Sequence, residues 1–126
     1  MTSLISPKDF TSVTHQMRSF FLERGFLEVH TQNRLSILAA CEDPTTVTTY
    51  EYAEQIWPLP QTGQMWLEYE LLTNPSIPGC FCVSTSYRQE ENPISGRHEL
   101  IFPMFEFEMP GCLLYTSDAA DDLYRV

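Results

Sequence analysis

Two stretches of alternating character in the second half of the chain constrain the fold more than any other feature. From Cys80 to Glu90 the pattern repeats every two residues, as in a β-strand, whose successive side chains point to opposite faces. One face would carry Phe81, Val83, Thr85 and Tyr87, and the other Cys82, Ser84, Ser86, Arg88 and Glu90. The pattern therefore predicts a strand with one apolar and one polar face.

A second stretch, from Glu99 to Glu108, has the same period and follows a loop rich in turn-forming residues at 91–97. Its apolar face would hold Ile101, Phe105 and Phe107, and its other face Phe102, Met104, Glu106 and Glu108. Two such strands joined by a loop predict an antiparallel hairpin whose apolar faces are buried together against helices.

The polar face of this predicted hairpin has an unusual composition. It collects Arg88, Glu90, Phe102, Glu106 and Glu108, with Arg97 and His98 at its rim. Guanidinium groups bind phosphate oxygens, an aromatic ring stacks on a base, and a carboxylate accepts a hydrogen bond from an exocyclic amine. The mixture indicates a nucleotide site. Ion pairs between neighbouring strands are the alternative that the pattern alone leaves open.

Helix signals precede the hairpin. Ser6 suits an N-cap, with Pro7 in the first turn and Asp9 near the positive end of the helix dipole. An apolar stripe at helical spacing then runs to a stop at Gly25, which predicts a helix packed on other elements. The stripe consists of Phe10, Val13, Met17, Phe20 and Phe21.

The remaining segments complete a coarse prediction of the fold. Residues 64–72 predict a second helix, ended by the turn-rich segment 74–79, and short strands are expected at 26–30 and around 47–50. Residues 43–46 predict a turn or loop. The expected fold class is α+β, with an antiparallel sheet flanked by helices.

Composition narrows the classes of function. The formal net charge is −10, from 17 acidic residues against 7 Lys and Arg, which excludes a protein that binds nucleic acid through a generally basic surface. No apolar run approaches the roughly 18 residues of a membrane span, and the N-terminus has no signal-peptide pattern, so we expect a cytoplasmic protein. The four cysteines suit small buried residues, and the Cys80–Cys82 spacing lacks the partners of a zinc site.

The sequence of the C-terminal segment indicates an origin different from that of the rest of the chain. Cys112 to Asp122 reads CLLYTSDAADD, which is the translation of a DNA stretch resembling a transposon-type sequencing adapter. We therefore predict one domain at residues 1–111 and a non-native tail at 112–126, and expect the natural protein to continue beyond Gly111.

The segment YRQEENPISGRHELIFPMFEFE, Tyr87 to Glu108, resembles the second signature motif of class II aminoacyl-tRNA synthetases, in particular of the aspartate, asparagine and lysine subclass. The resemblance implies a partial catalytic domain with a hairpin in an antiparallel sheet. It implies Arg88 on the α-phosphate of ATP, Glu90 on the adenine amino group, Arg97 and His98 on the outer phosphates, and Phe102 stacked on adenine. It places Glu106 and Glu108 on the floor of the site, near the metal or the amino group of the substrate.

Two further segments resemble the same family. LPQTGQMWLE, Leu59 to Glu68, is similar to the segment that seats the amino acid in asparaginyl- and aspartyl-tRNA synthetases, and is closest to the asparaginyl form. The resemblance implies that Gln64 contacts the amino-acid substrate. FFLERGFLEVHT, Phe20 to Thr31, resembles the first signature motif, which forms the family's dimer interface, and so implies a homodimer.

The chain also departs from the family pattern. Gln32 replaces the proline that ends the first motif, Ile101 replaces an acidic residue before the aromatic, and Leu67 stands where aspartate enzymes have a lysine for the substrate carboxylate. These changes put in doubt the usual dimer geometry, the usual grip on ATP or metal, and aspartate as the substrate. Because Met1 lies only a few residues before the first motif, we also expect no anticodon-binding domain.

These observations give one principal hypothesis and two alternatives. The principal one is an ATP- and Mg²⁺-dependent ligase that forms an aminoacyl adenylate from a polar amino acid such as asparagine, with tRNA as a possible acceptor. The first alternative is a stand-alone paralogue, such as an asparagine synthetase-like enzyme or a ligase that attaches amino acids to proteins or small molecules. The second is a nucleotide-binding or dimerisation module without catalysis. The 126-residue chain itself is expected to be inactive.

Overall fold

The computed structural model describes residues 4–37 and 44–111 of the chain. Within these ranges the fold is α+β, as the sequence predicts. Its elements are helix α1 (Pro7–Glu23), strand β1 (Leu27–Glu28), a 3₁₀ turn (Pro44–Thr46), strands β2 (Thr49–Tyr52) and β3 (Gln55–Pro58), helix α2 (Gln64–Thr73), and strands β4 (Cys80–Tyr87) and β5 (Ile101–Glu108). No helix in the described ranges is both long and apolar enough to span a bilayer.

Helix α1 begins and ends where its local signals predict. The Asp9 amide donates to the Ser6 hydroxyl oxygen at 3.4 Å, which satisfies one of the free N–H groups of the first turn. The chain leaves the helix at Gly25, whose φ of +79° is readily accessible only to glycine. Both boundaries of the predicted helix are thereby confirmed.

The apolar stripe of α1 is less buried than its pattern predicts. Phe21 is only 7% exposed, whereas Phe10, Val13 and Phe20 remain exposed. The ring of Phe21 lies 5.5 Å from the ring of Phe81, so this residue packs the helix against the sheet. The sheet under α1 has three strands and covers only part of the stripe in the described residues.

The central sheet has the order β1-β4-β5. Strands β4 and β5 are antiparallel, with Phe81 opposite Phe107 and Ser86 opposite Phe102, so the two predicted faces of the hairpin are confirmed. Both strands are shorter than predicted. The Arg88 amide still donates to the Leu100 carbonyl at 2.8 Å, but the Gln89 amide turns to the carbonyl of Thr46, which separates the chain from its partner strand.

Strand β1 adds a feature that the sequence pattern does not predict. It pairs with β4 in parallel, so the sheet is mixed rather than purely antiparallel. The Leu27 amide donates to the Gly79 carbonyl at 3.1 Å, and the Val29 amide to the Phe81 carbonyl at 2.8 Å. Because β1 lies far from β4 in sequence, its orientation depends on long-range packing that periodicity does not encode.

A second, two-stranded sheet pairs β2 with β3. The sequence predicts only one strand here, around residues 47–50. The turn between the strands is made by Ala53 and Glu54, with φ of +52° and +64°, where a hairpin usually has Asn or Gly. The missing turn signal explains why β3 was not predicted.

Helices pack against both faces of the central hairpin, but the prediction that the apolar faces are fully buried is wrong for β5, where Ile101 is 44% and Phe107 51% exposed. On one face Phe21, Phe26 and Phe81 form an aromatic cluster with Phe105 packed against it. On the other face a cluster under α2 consists of Val29, Leu67, Cys80 and Cys82. Helices on both sides match the predicted flanking arrangement. The burial of small polar residues on this second face was not predicted, since Ser84 is 5% exposed and Ser86 fully buried.

Gly79, immediately before β4, allows close packing against the ring of Phe26. A β-carbon at this position would lie 2.4 Å from Cε2 of Phe26, whose ring is itself buried. We therefore expect Gly79→Ala to lower the free energy of unfolding by about 1–3 kcal/mol, measured by urea denaturation. The control is the same substitution in a Phe26→Leu background, where the loss should be smaller. An equal loss in both backgrounds would rule out the clash.

Candidate active site on the hairpin

The carboxylate of Glu106 connects the start of α2 to β5 through hydrogen bonds. Glu106 Oε1 accepts hydrogen bonds from the Gly63 amide and from the Ser84 hydroxyl, both at 2.8 Å. Its other oxygen, Oε2, accepts a short hydrogen bond from the Thr62 hydroxyl. The Thr62 oxygen in turn accepts from the Gln64 amide at 3.1 Å. Glu106 therefore joins the N-terminus of α2 to both strands of the hairpin.

The three residues predicted to bind the amino acid lie together. Gln64 is the first residue of α2, and its side-chain amide donates a short hydrogen bond to Glu108 Oε1. Glu108 and Glu106 lie on the same face of β5, two residues apart. The structure thus brings Gln64, Glu106 and Glu108 to one place at the end of the hairpin.

Glu108 is the carboxyl group most affected by this environment. Burial raises the pKa of Glu108, and the nearby charges of Glu68 and Glu106 raise it further, while the hydrogen bond from Gln64 lowers it. Burial disfavours the charged form because the ion loses its hydration. The folded chain therefore holds the proton of Glu108 more tightly than the unfolded chain does.

This raised pKa has a consequence for stability. At a pH below the ordinary carboxyl pKa, Glu108 is protonated in both the folded and the unfolded chain and does not change the free energy of unfolding. As the pH rises through the raised folded pKa, the cost of ionising Glu108 in the folded chain lowers the free energy of unfolding. We expect Glu108→Gln, which keeps an oxygen to accept from Gln64, to raise the free energy of unfolding at pH 7. The same variant should match the wild type at about pH 3.5. Urea titrations at both pH values measure this, and an equal gain at the two would contradict it.

Arg88 and Phe102 form the second part of the candidate site. The Arg88 guanidinium carbon lies 5.9 Å from the centre of the Phe102 ring, within the range of a cation–π contact. The Arg88 Nε donates to the hydroxyl oxygen of buried Ser86 at 3.4 Å. In residues 4–37 and 44–111, no carboxylate forms an ion pair with Arg88. Its charge is therefore not neutralised by a neighbour in the described part of the chain.

Glu90, Arg97 and His98 have their described contacts elsewhere than with Arg88 and Phe102. Glu90 follows the end of β4 and lines a shallow hollow with Thr45, Thr46, Glu91 and Asn92. Arg97 is exposed, and its amide donates to the Ile94 carbonyl at 3.0 Å. His98 Nδ1 accepts from the Ile94 amide at 3.0 Å. Among the described residues, no hydrogen bond or ion pair connects these three side chains with Arg88.

Sequence reasoning missed a cavity of about 190 Å³ beside the start of α2. Its walls include Thr31, Gln32, Arg34, Thr62, Trp66 and Ser84. Arg34 forms an ion pair with Glu70 at 2.8 Å, and its guanidinium carbon lies 5.1 Å from the Trp66 ring centre. The ion pair neutralises Arg34, so the cavity presents hydroxyl and amide groups. The signal for Ser84 was its place on the polar face of β4, diagonal to Glu106.

The described residues do not gather protein ligands for a metal. No cluster of three or more His, Cys, Asp or Glu side chains suited to a metal ion exists among them. Burial raises the pKa of Cys80 to about 11 and that of Cys82 to about 12, so both remain thiols at neutral pH. Cys41 and Cys112 lie outside the described residues.

A comparison with known protein families shows the family to which this chain belongs. Residues 8–116 match the family of tRNA synthetases class II (D, K and N). The chain belongs to this class II synthetase family. The match runs from the second residue of α1, Lys8, past the end of β5. A search of curated protein sequences returned no significant match.

Solved structures agree on the fold of this class II synthetase chain. Asparaginyl-tRNA synthetase from Pyrococcus horikoshii, complexed with asparaginyl-adenylate, superposes with a TM-score of 0.70 at 21% identity, over 86% of this chain and 24% of that one. The Entamoeba histolytica asparaginyl-tRNA synthetase, also with asparaginyl-adenylate, gives 0.65 at 21% identity, over 90% and 23%. A Leishmania major Friedlin protein assigned as an aspartyl-tRNA synthetase gives 0.61 at 24% identity, over 89% and 20%. The chain spans about a quarter of these structures or less.

Proposed function

We propose that the full-length protein carrying this chain activates an amino acid with ATP to form an aminoacyl adenylate. The supporting observation is the placement of Arg88 and Phe102 on the same face of the hairpin as Glu106 and Glu108, with Gln64 against that face. A cation, a flat ring and the polar side chains proposed to bind the amino acid are thus held by one hairpin and the start of α2. Two structural neighbours bind asparaginyl-adenylate, which supports the same class of product here.

The reaction requires positioning and charge stabilisation more than a nucleophilic side chain. An oxygen of the substrate carboxylate forms a bond to the α-phosphorus of ATP, and pyrophosphate leaves with the electron pair of the broken bond. Arg88 would stabilise the negative charge on the α-phosphate in the transition state, because its guanidinium is not neutralised by a described carboxylate. Phe102 would stack on the adenine.

The more distant residues would contact the ends of the nucleotide. In this proposal Glu90 accepts a hydrogen bond from the adenine amino group, while Arg97 and His98 bind the outer phosphates. Arg97 is exposed and His98 half-buried, and both lie in the loop between β4 and β5. Their function would be to bind ATP rather than to stabilise the transition state.

Mg²⁺ would enter this site with the nucleotide. Glu106 already accepts three hydrogen bonds, and Glu108 is bonded to Gln64, so the described chain offers few free oxygen ligands. Such a site suits Mg²⁺, which commonly binds through substrate phosphates, waters and one or two carboxylates. The ion would supply charge neutralisation on the phosphates.

A neutral polar amino acid, such as asparagine, fits the chain better than aspartate. Leu67 stands where the aspartate enzymes carry a lysine for the side-chain carboxylate, and it is completely buried on the side of α2 that packs against Val29 and Cys82. No cation therefore projects from this position. A second carboxylate on the substrate would therefore meet no cation at this position to offset its charge.

Amino-acid-dependent exchange of pyrophosphate into ATP tests the proposal directly. We expect the full-length protein to catalyse exchange with one neutral polar amino acid, in the presence of Mg²⁺. Adding tRNA, ammonia or a protein acceptor to parallel reactions identifies what receives the activated amino acid. Absence of exchange with every amino acid, together with retained ATP binding, would contradict the proposal and favour a nucleotide-binding module.

A further inference from the structure

Ser86 is a fully buried hydroxyl on the polar face of β4. It stands directly opposite Phe102 of β5, and it lies two residues before Arg88. Residues two apart along a strand share a face, so the side chains of Ser86 and Arg88 point the same way. A buried hydroxyl needs a hydrogen-bond partner, and Ser86 Oγ accepts from Arg88 Nε at 3.4 Å. The buried serine therefore contacts the cation of the candidate site directly.

This hydrogen bond uses only one edge of the Arg88 guanidinium. The N–H donors of an arginine lie on Nε and on the two Nη nitrogens, and the planar group binds an oxyanion through a pair of neighbouring donors. Because Ser86 accepts from Nε, the edge that contains Nε is already engaged by the protein. In the part of the chain that the structure describes, no carboxylate forms an ion pair with Arg88. The edge formed by the two Nη nitrogens is the one left for an oxyanion.

Two further contacts restrain Arg88, but neither sets the direction of its Nη edge. The Arg88 amide donates to the Leu100 carbonyl at 2.8 Å, which fixes the backbone just beyond the end of β4. The guanidinium carbon lies 5.9 Å from the centre of the Phe102 ring, and this contact limits the distance from the ring. An arginine side chain has many rotamers, so a directional bond to Nε adds a restraint that these contacts lack.

We propose that Ser86 is a positioning residue, whose hydroxyl holds Arg88 Nε so that the two Nη nitrogens face the α-phosphate. This rests on the proposed function, to which it adds the orientation of the guanidinium and the residue that sets it. A cation that is already oriented stabilises the charge of a transition state without reorganising during the reaction. Ser86 acts through Arg88, and in this proposal it does not contact ATP or the amino acid.

The contact itself is tested without enzyme activity, by NMR of the 126-residue chain. The Arg88 Hε resonance, assigned by its loss in Arg88→Ala, should exchange slowly with water because Nε donates to a buried oxygen. Ser86→Ala should speed this exchange about tenfold or more, since a hydrogen bond from a charged group is lost. The matched control is Ser84→Ala, which removes the other buried hydroxyl of β4 and should leave the exchange unchanged. Equal exchange in the wild type and Ser86→Ala, or an equal response to both variants, would overturn the inference.

The consequence for catalysis is tested by pyrophosphate exchange with the full-length protein. Ser86→Ala should lower kcat about 5- to 50-fold, with less than about a threefold change in KM for ATP or the amino acid. In an Arg88→Ala background the same substitution should cause no further loss, because no guanidinium remains to be oriented. A serine with only a structural role would lower kcat by the same factor in both backgrounds, and that result would contradict the proposal. If the wild type shows no exchange, the proposed function fails, while the Hε measurement still decides whether Ser86 holds Arg88.

Discussion

Arg88→Ala in the full-length protein is expected to slow adenylate formation by about 100- to 1,000-fold, equivalent to about 3–4 kcal/mol of transition-state stabilisation. The reason is that this guanidinium is fixed beside Phe102 and Ser86 and forms no ion pair among the described residues. A fixed, unpaired cation is most valuable where negative charge grows during the reaction. The loss should therefore appear in kcat more than in KM for the amino acid.

Single-turnover measurements of adenylate formation provide the cleanest test, because they separate chemistry from product release. The matched control is Arg18→Ala, which removes an arginine from an exposed ion pair with Glu28 on the opposite part of the chain. Such surface pairs contribute about 0–1 kcal/mol to stability, and this one has no role in the site. A normal rate for Arg88→Ala would refute the role proposed for Arg88.

The largest expected effect on stability comes from Phe81→Ala. Phe81 is fully buried in β4, and its ring stacks on Phe105 at 5.3 Å and on Phe21 at 5.5 Å. Truncation would leave a cavity between α1 and the sheet and cost about 3–5 kcal/mol. Because small domains unfold with only about 5–15 kcal/mol, we expect a large shift of the urea midpoint or a failure to fold.

Phe20→Ala is the matched control for this prediction. Phe20 neighbours Phe21 in α1, but it is 47% exposed, so its removal leaves no enclosed cavity. The loss of unfolding free energy should therefore be clearly smaller than for Phe81→Ala. Equal losses in the two variants, measured by urea denaturation, would contradict the assignment of Phe81 to the core.

Local signals in the sequence predicted the elements that are determined locally. Ser6, Pro7 and Gly25 mark the boundaries of α1, and the period of two places the correct residues on each face of β4 and β5. The parallel pairing of β1 was not predictable in this way, because it depends on packing between distant segments. Strand β3 was missed because Ala53 and Glu54 form a turn without the usual glycine or asparagine.

The candidate site also contains features that the sequence predicted and features that it did not. Alternation along the hairpin placed Arg88 and Phe102 on one face, where they do meet, and the family resemblance added Gln64 near Glu108. Neither indicated that Glu106 would be surrounded by protein donors, since that depends on how closely α2 approaches the sheet. The roles of Glu90, Arg97 and His98 toward a nucleotide remain predictions, as do the adapter-derived origin of residues 112–126 and the homodimer.

The short parallel ladder between β1 and β4 also connects two walls of the cavity beside α2. Thr31 and Arg34 on one wall follow β1, whereas Ser84 on another wall belongs to β4. The two walls are held in register by the bonds from Leu27 to Gly79 and from Val29 to Phe81. Val29 and Phe81 are both buried, so this ladder belongs to the core. The shape of the cavity therefore depends on core packing between β1 and β4 as well as on the start of α2.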